Sequence, residues 1–270
     1  MGKFDGYLIC TDLDGTLFNS ERKVSEENAE AIEYFKREGG SFTFITGRPY
    51  YTARGAYEMV KPNVPFGCLN GGGIYDGEKH EYIMHRELDR SAFSIVDFIT
   101  KNVPDVAVNV YTPDITYFPK VTEATRIYAK LTGCEIIERK IEEIDCPVSK
   151  IVFAHTVFSE IDRVSELVKE HPLYENFAFI RSERFLFEIL PKENSKGNLL
   201  CELARYLGID MKKTVAVGDY DNDISMVMAA GVGYAVENAV GELKAVADRI
   251  TVSNDESAIA RIIEDLGKGL

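Results

Sequence analysis

The sequence lacks the features typical of membrane-spanning and nucleic-acid-binding proteins. Its 270 residues contain no apolar run near the roughly 20 residues that cross a bilayer. The first residues, MGKFDGYLIC, lack the apolar core of a signal peptide. Basic residues are few: 31 Lys and Arg against 44 Asp and Glu give a net charge of −13. This negative charge disfavours nucleic acids and anionic membrane surfaces as partners. We therefore expect a cytoplasmic protein with neither kind of partner.

Cysteine and histidine are also too few and too scattered to predict a disulfide framework or a zinc site. The five cysteines are widely spaced and none forms a C-x-x-C pair, and the four histidines show no metal-ligand spacing. We expect free thiols in a reducing compartment. The remaining composition is that of an ordinary globular protein, long enough for one large domain or two modest ones.

Strand-like and helix-like segments alternate at both ends of the chain. The N-terminal part predicts strands at 6–11, 41–46 and 66–70, separated by a helix capped by Ser25 and a helix ending near residue 60. The C-terminal part predicts helices at 195–207, 221–230 and 255–266 around strands at 214–217, 232–236 and 250–252. This alternation predicts an α/β fold with a doubly wound, Rossmann-like parallel sheet.

The middle of the chain has a different texture. Helix-like stretches at 91–102, 122–131 and 159–170 alternate with β-rich ones at 106–111, 150–155, 177–180 and 185–190, and the last of these has a hairpin-like pattern. We predict an α+β domain over residues 82–190, inserted into a core formed by residues 1–81 and 191–270. The three glycines at 71–73 predict a turn or a domain junction, with a phosphate-binding nest as the alternative.

Polar residues follow the ends of the predicted core strands, where ligands bind in a doubly wound sheet. Asp12 and Asp14 follow the first strand, and Asp219 and Asp223 follow the strand at 214–217. Several carboxylates that converge on one pocket cannot all stay ionised without a cation. Oxygen ligands of this kind favour Mg²⁺, which we expect as the cofactor.

Other residues at the same edge could bind a phosphoryl group. Thr46, Gly47 and Arg48 end the second strand, and Lys196 begins a helix. Together with a divalent cation they supply the positioning and charge neutralisation that phosphoryl transfer needs. A carboxylate can attack the phosphorus atom and form an aspartyl phosphate. Asp14, two residues after Asp12, is placed to act as general acid and base.

These motifs resemble the four motifs of the haloacid dehalogenase (HAD) superfamily. Asp12-Leu13-Asp14-Gly15-Thr16 is similar to the first motif, D-x-D-G-T, and residues 44–48 are similar to the second. Lys196 is similar to the lysine of the third motif. Residues 218–223, which have the form G-D-x-x-N-D, are similar to the fourth. The large insert between the second and third motifs resembles the α/β cap of the Cof-like phosphatase subgroup. The resemblance covers essentially the whole chain and implies a phosphatase.

The resemblance also implies a role for each acidic residue. Asp12 would be the nucleophile and a ligand of Mg²⁺, together with the main-chain carbonyl of Asp14 and the carboxylate of Asp219. Asp14 would be the acid and base. Asp223 would orient Lys196 or a water on the metal.

The remaining motif residues are implied to bind the substrate phosphate. Thr46 and Lys196 would hold the transferring phosphoryl group with help from the Gly47 amide, and Asn222 would contact it; Arg48 is included in this set. The substrate would be a small phosphorylated metabolite, such as a sugar phosphate or a phosphorylated cofactor, chosen by the insert closing as a lid.

Each motif taken alone has a plainer interpretation. Thr46-Gly47-Arg48 could be a turn, Lys196 a solvated lysine at a helix start, and 218–223 a helix cap with an acidic first turn. Two other functions remain open, a non-enzymatic phosphoacceptor domain of receiver type and a phosphomutase or phosphotransferase with the same machinery. Neither the natural substrate nor the oligomeric state can be predicted from the sequence.

Overall fold

The structure, a computed structural model, describes residues 2–269 except for the side chain of residue 131. In chain order its strands are β1 (Leu8–Thr11), β2 (Ser41–Phe44), β3 (Phe66–Cys68), β4 (Gly73–Asp76), β5 (Glu81–His85), β6 (Ala107–Tyr111), β7 (Thr116–Lys120), β8 (Ile137–Glu138), β9 (Lys150–Ala154), β10 (Phe177–Glu183), β11 (Leu186–Pro191), β12 (Thr214–Gly218), β13 (Val232–Ala235) and β14 (Arg249–Ile250). The helices are α1 (Glu26–Arg37), α2 (Tyr50–Val60), α3 (Ala92–Asn102), α4 (Glu123–Thr132), α5 (Phe158–Leu167), α6 (Lys196–Leu207), α7 (Ile224–Ala229), α8 (Gly241–Val246) and α9 (Ala258–Lys268). None of these helices is long and apolar enough to cross a membrane.

A five-stranded parallel sheet forms the centre of the first compact unit, which comprises Met1–Arg48, Ala53–Met84 and Ser195–Leu270. Its strand order is β14-β13-β12-β1-β2, so β1 lies between β12 and β2. Every residue of β1 and β12 is buried, as expected for central strands of a parallel sheet with both faces covered. Residues 1 and 270, where the predicted core begins and ends, lie outside the described residues.

Local capping explains where two helices of this unit begin. The Ser25 hydroxyl accepts a hydrogen bond from the Asn28 N–H at the start of α1, and Ser195 does the same for Asn198 at the start of α6. Each cap satisfies an N–H group that has no partner within the helix, typically worth about 1 kcal/mol. The second cap bears on function, because Lys196 is the first residue of α6.

The second compact unit comprises Pro49–Thr52 and His85–Asn194. Its six-stranded sheet has the order β10-β11-β9-β6-β7-β8, with antiparallel neighbours except for the parallel pair of β7 and β8. Residues of α3 and α5 form an apolar core with strand residues such as Val108, Ile151 and Ile189. The predicted boundaries at 82 and 190 fall near the ends of this unit, and the boundary at 82 falls inside β5.

Several predicted elements differ from the structure. The strand predicted at 66–70 ends at Cys68, because Leu69 and Asn70 have φ of +58° and +52°. It does not continue the parallel sheet as a full strand: β3 pairs antiparallel with β4, and a single parallel bridge joins Ile45 to Gly67. The helix predicted at 221–230 begins as a 3₁₀ turn over Asp221–Asp223, and α7 follows it.

Four short strands and one helix were not predicted, namely β4, β5, β7, β8 and α8. Strand β7 was not predicted because Pro119 lies within it, and proline has no N–H group to donate to the hydrogen bonds between strands. The register between β6 and β7 shifts at this place, between Val108 and Val110.

Candidate active site

The carboxyl ends of β1 and β12 lie side by side because these strands are parallel neighbours. Asp12 directly follows β1, and its N–H continues the ladder by donating to the Val217 carbonyl oxygen at 2.9 Å. Asp219 directly follows β12. Two acidic side chains therefore meet at one edge of the sheet, in the position where doubly wound folds bind their ligands.

A third carboxylate completes a cluster at this edge. Asp12, Asp219 and Asp223 each offer a carboxylate oxygen within 4.8 Å of the other two. Burial raises the pKa of Asp219 to about 8, with further repulsion from Asp12 and Asp223. Burial also raises the pKa of Asp12, although the ammonium group of Lys196 opposes this effect.

Lys196 is the buried cation of the site. Its side chain is 0% exposed, and its Nζ atom donates to Asp12 Oδ1 at 2.5 Å and to Asp223 Oδ1 at 2.6 Å. Burial alone lowers the pKa of Lys196, but the charges of the two carboxylates outweigh burial, and the net shift is upward. The alternative of a solvated lysine at a helix start is therefore wrong.

Asp223 uses both carboxylate oxygens within the protein. Oδ1 accepts from Lys196, and Oδ2 accepts from the backbone N–H groups of Asp219 and Tyr220 at 3.0 and 3.1 Å. These contacts fix the turn that follows β12 and the position of the Lys196 ammonium group. Although Asp223 is close enough to the other carboxylates to join a metal site, its bonding fits a supporting residue better than a ligand.

Gly15 and Thr16 of the first motif lie against Asp219, and Thr16 hydrogen-bonds to it. The Thr16 hydroxyl donates to Asp219 Oδ1 at 2.8 Å, and the Gly15 carbonyl accepts from Asn238 Nδ2 at 2.7 Å. Gly15 has φ of +80°, and a Cβ atom there would lie 2.6 Å from Asp219 Oδ2. Glycine is therefore required by conformation and by space. Thr16 belongs to the first motif, but the sequence did not predict this contact.

Asp14 and Arg48 form a two-pronged ion pair. Arg48 Nε donates to Asp14 Oδ2 at 3.0 Å, and Nη2 lies 2.6 Å from each carboxylate oxygen. The Asp14 side chain therefore does not join the carboxylate cluster, and any contact of this residue with a metal would come from its main-chain carbonyl. The guanidinium group that the sequence predicts to bind phosphate is thus hydrogen-bonded to Asp14.

A loop after β2 carries the predicted phosphate-binding residues Thr46 and Gly47. The Thr46 hydroxyl accepts from the Arg48 N–H at 3.2 Å, and the Thr46 N–H donates to the Gly67 carbonyl oxygen at 3.0 Å. A Cβ atom on Gly47 would lie 3.0 Å from Asn70 Nδ2, so the loop packs closely on Asn70. Because the Thr46 oxygen accepts from Arg48, its hydroxyl proton can be donated to a phosphoryl oxygen.

Asn70 is a site residue that the sequence analysis missed. It is fully buried, its N–H donates to the Thr46 carbonyl oxygen at 3.1 Å, and its Oδ1 accepts from Asn222 Nδ2 at 3.1 Å. It thus connects the loop after β2 with the fourth motif. The Asn-Gly pair at 70–71 was an available signal, since asparagine tolerates a left-handed backbone better than most residues.

All nine predicted site residues lie in the first unit. The structure brings them into three connected groups: Asp12, Lys196, Asp219 and Asp223; Asp14 and Arg48; and Thr46, Gly47 and Asn222 through Asn70. The plain interpretations as an isolated turn and as a simple acidic helix cap do not explain these connections.

The donor set fits a divalent cation such as Mg²⁺. Asp12 and Asp219 supply carboxylate oxygens in a largely buried setting, where repulsion and burial disfavour their charged forms. Within the described residues 2–269, the site's four carboxylates form ion pairs with two cationic side chains, Lys196 and Arg48. A divalent cation would compensate this excess of negative charge with the oxygen ligands that Mg²⁺ prefers.

The chain matches known proteins over nearly its full length. A family described as haloacid dehalogenase-like hydrolase matches residues 9–263. The chain is 30% identical to the 5-amino-6-(5-phospho-D-ribitylamino)uracil phosphatase YwtE of Bacillus subtilis (strain 168), covering 97% of this chain and 98% of that protein. It is 28% identical to phosphatase YwpJ of the same organism, covering 96% and 99%.

Solved structures agree with these matches. The fold is similar to a haloacid dehalogenase-like hydrolase from Bacteroides thetaiotaomicron, with a TM-score of 0.81 and 26% identity over 96% of this chain and 99% of that chain. It is also similar to a haloacid dehalogenase-like hydrolase from B. subtilis, with a TM-score of 0.83 and 27% identity over 96% and 99%. The predicted α/β fold class is confirmed, and the non-enzymatic receiver domain is the wrong alternative. The chain belongs to the haloacid dehalogenase-like hydrolase family.

Proposed function

We propose that this protein is a Mg²⁺-dependent phosphatase that hydrolyses small phosphomonoesters through an aspartyl phosphate on Asp12. The observation that carries the proposal is the setting of the Asp12 carboxylate. One oxygen is fixed by Lys196 at 2.5 Å, and the other receives no hydrogen bond from the residues between 2 and 269. An oriented carboxylate with one free oxygen is what a nucleophile requires.

In the first half-reaction, a free oxygen of Asp12 forms a bond to phosphorus while the bond from phosphorus to the ester oxygen breaks. The leaving oxygen takes a proton from Asp14, two residues further along the chain. The Lys196 ammonium group and the Thr46 hydroxyl bind phosphoryl oxygens and offset the charge that they carry. Asp12, Asp219 and the Asp14 carbonyl would hold a Mg²⁺ ion, which would supply further charge neutralisation when bound.

In the second half-reaction, water attacks the phosphorus atom and releases inorganic phosphate. Asp14 accepts the proton of the attacking water, and the bond from phosphorus to Asp12 breaks, which restores the carboxylate. Asp14 thus returns to its starting protonation state over one turnover. Asp223 contributes by fixing the Lys196 ammonium group in both steps.

We propose a small phosphorylated metabolite as the substrate and the second unit as the cap that selects it. Two of the similar B. subtilis proteins are named as phosphatases of 5-amino-6-(5-phospho-D-ribitylamino)uracil, a phosphorylated polyol derivative. The net charge of −13 disfavours polyanionic macromolecules as substrates. We also propose a cytoplasmic location for the protein.

The test is phosphate release from a panel of sugar phosphates, phosphorylated cofactors and 5-amino-6-(5-phospho-D-ribitylamino)uracil, with Mg²⁺ or with EDTA. We expect at least one efficient substrate, and activity that is lost in EDTA and restored by Mg²⁺. Full turnover in metal-free buffer would refute the metal requirement. Transfer of phosphate to a second sugar, rather than to water, would identify a phosphomutase or phosphotransferase.

The nucleophile is tested by acid quenching during turnover, followed by mass spectrometry of peptides. We expect the phosphoryl group on Asp12, and none in the Asp12→Asn variant, because an amide is a poor nucleophile. Asp105→Asn is the matched control, since Asp105 is an exposed residue of the second unit. A phosphoryl group on another residue would overturn the assignment.

A further inference from the structure

We infer that Arg48 is a positioning residue for Asp14, holding the carboxylate that transfers the proton, and is not a ligand of the phosphoryl group. The inference rests on the proposed function, because it concerns the residue proposed there as acid and base. It reassigns Arg48, which the sequence placed in the phosphate-binding set.

The geometry of the pair carries the inference. The planar guanidinium group contacts both oxygens of Asp14, with Nε at 3.0 Å from one and Nη2 at 2.6 Å from each. A fork that contacts both oxygens fixes the plane of a carboxylate as well as its place, which a lysine cannot do. Arg48 is the one side chain among residues 2–269 that hydrogen-bonds to the Asp14 carboxylate.

The exposure of the pair argues against a purely structural purpose. The side chains of Arg48 and Asp14 are 30% and 37% exposed. Ion pairs with this access to water contribute little to stability, commonly less than about 1 kcal/mol. Without Arg48, the partly exposed Asp14 side chain would be free to sample other rotamers. The effect that the ion pair can exert is therefore the orientation of the Asp14 carboxylate by Arg48.

The backbone of Arg48 is itself held firmly. Its N–H donates to the Thr46 hydroxyl at 3.2 Å, and its carbonyl oxygen accepts from the Leu69 N–H at 3.0 Å. Leu69 belongs to the segment with positive φ that also includes Asn70. The loop that presents Thr46 to the phosphoryl group therefore also directs Arg48 toward Asp14.

The two possible roles of Arg48 predict different dependence on the leaving group. Protonation by Asp14 matters most when the departing oxygen is strongly basic, as in an alkyl phosphate, and least for nitrophenolate. Loss of a positioning residue should therefore slow the departure of alkoxides selectively. Loss of a phosphate ligand should weaken the binding of every substrate, and of the product phosphate, by a similar factor.

The experiment compares kcat/KM of the Mg²⁺-loaded full-length enzyme for 4-nitrophenyl phosphate and for its best alkyl phosphate. For Arg48→Met we expect a loss of about 10–100-fold with the alkyl ester, the size of effect that misplacement of a catalytic group by about 1 Å produces. We expect less than about threefold with the nitrophenyl ester, and inhibition by inorganic phosphate unchanged within about threefold. Arg48→Lys should recover only part of the loss, because it keeps the charge but not the fork.

Two further measurements complete the test. In an Asp14→Asn background, Arg48→Met should cause no additional loss, because the group that it positions is gone. Arg54→Met, on the exposed side of α2, is the control expected to match the unmodified enzyme. Equal losses for both esters, with phosphate inhibition weakened by the same factor, would overturn the inference and return Arg48 to the phosphate-binding set.

The Asp14→Asn variant alone separates this inference from the proposed function. If Asp14→Asn shows no dependence on the leaving group, the proposed acid and base role fails, and the inference fails with it. If Asp14→Asn shows that dependence and Arg48→Met does not, only the positioning role of Arg48 is wrong.

Discussion

Replacing Lys196 by methionine should destabilise the first unit strongly, as well as abolish activity. The ammonium group is fully buried, 2.5 Å from Asp12 Oδ1 and 2.6 Å from Asp223 Oδ1. Without it, two buried carboxylates lose their shared counterion. Removing one partner from a buried ion pair typically costs about 3–5 kcal/mol. With roughly 2–4 °C per kcal/mol for a chain near this length, Tm should fall by roughly 6–20 °C.

The assay is thermal unfolding in EDTA, followed by circular dichroism or calorimetry. Lys192→Met is the matched control, since Lys192 lies four residues earlier and its side chain is 53% exposed. The control should change Tm by no more than about 1–2 °C, because exposed ion pairs contribute little. Adding Mg²⁺ should raise the Tm of Lys196→Met by more than that of the unmodified protein, because a cation at the cluster replaces the missing charge.

A double variant tests whether charge is the cause. Asp223→Asn removes one of the two carboxylates but leaves an oxygen to accept from the N–H groups of Asp219 and Tyr220. Combined with Lys196→Met, it should cost less than the sum of the two single changes. A Tm of Lys196→Met within about 2 °C of the unmodified protein, or strict additivity of the two variants, would refute this reasoning.

Three further outcomes are expected. Glu188→Gln, which removes the negative charge beside the Lys150 ammonium group (2.6 Å away, both side chains below 5% exposed), should destabilise the second unit by about 3–5 kcal/mol in urea unfolding. Lys150→Met combined with Glu188→Leu should regain most of this loss. Gly15→Ala should lower phosphatase activity and Mg²⁺ affinity, because the new Cβ atom would collide with Asp219. In the control Gly133→Ala, φ is +69° and no atom lies within 4 Å of the new Cβ, so only a backbone strain of about 1–2 kcal/mol should lower the stability. Because burial raises the pKa of Asp219 to about 8, the folded metal-free protein binds a proton at this residue more tightly than the unfolded chain does. The stability of the metal-free protein should therefore increase as the pH falls from about 8 toward 5, and the dependence of stability on pH should be shallower in Asp219→Asn.

The sequence predicts well those features that depend on neighbouring residues. The cap at Ser25 and the buried run of β1 follow from local rules, and the structure has both. The predicted helix at 195–207 included Ser195, whereas the structure makes Ser195 the cap of α6. Three of the four motifs also point to strand ends, because turn residues follow apolar runs directly, whereas the third, at Lys196, begins a helix. The family resemblance added roles for individual residues, and these remain proposals.

Features that depend on distant parts of the chain were not predictable. Arg48 and Asp14 are 34 residues apart, and nothing local shows that the arginine contacts the carboxylate. The complete burial of Lys196 likewise arises only when its helix packs beside Asp12 and Asp223. Asn70 was missed because its importance comes from contacts with Thr46 and Asn222, which the fold brings together.

The central position of β1 has a consequence for how the protein is made. β1 pairs with β12 from Leu8 opposite Thr214 onward, so about 200 residues must be synthesised before this partner strand exists. At 5–20 residues per second, the wait is on the order of 10–40 s. During that time the second unit's main segment, His85–Asn194, is already complete, whereas one edge of the apolar strand β1 still has no partner. We therefore expect the nascent chain, with this strand edge open, to be more exposed to aggregation and to chaperone binding than the complete protein.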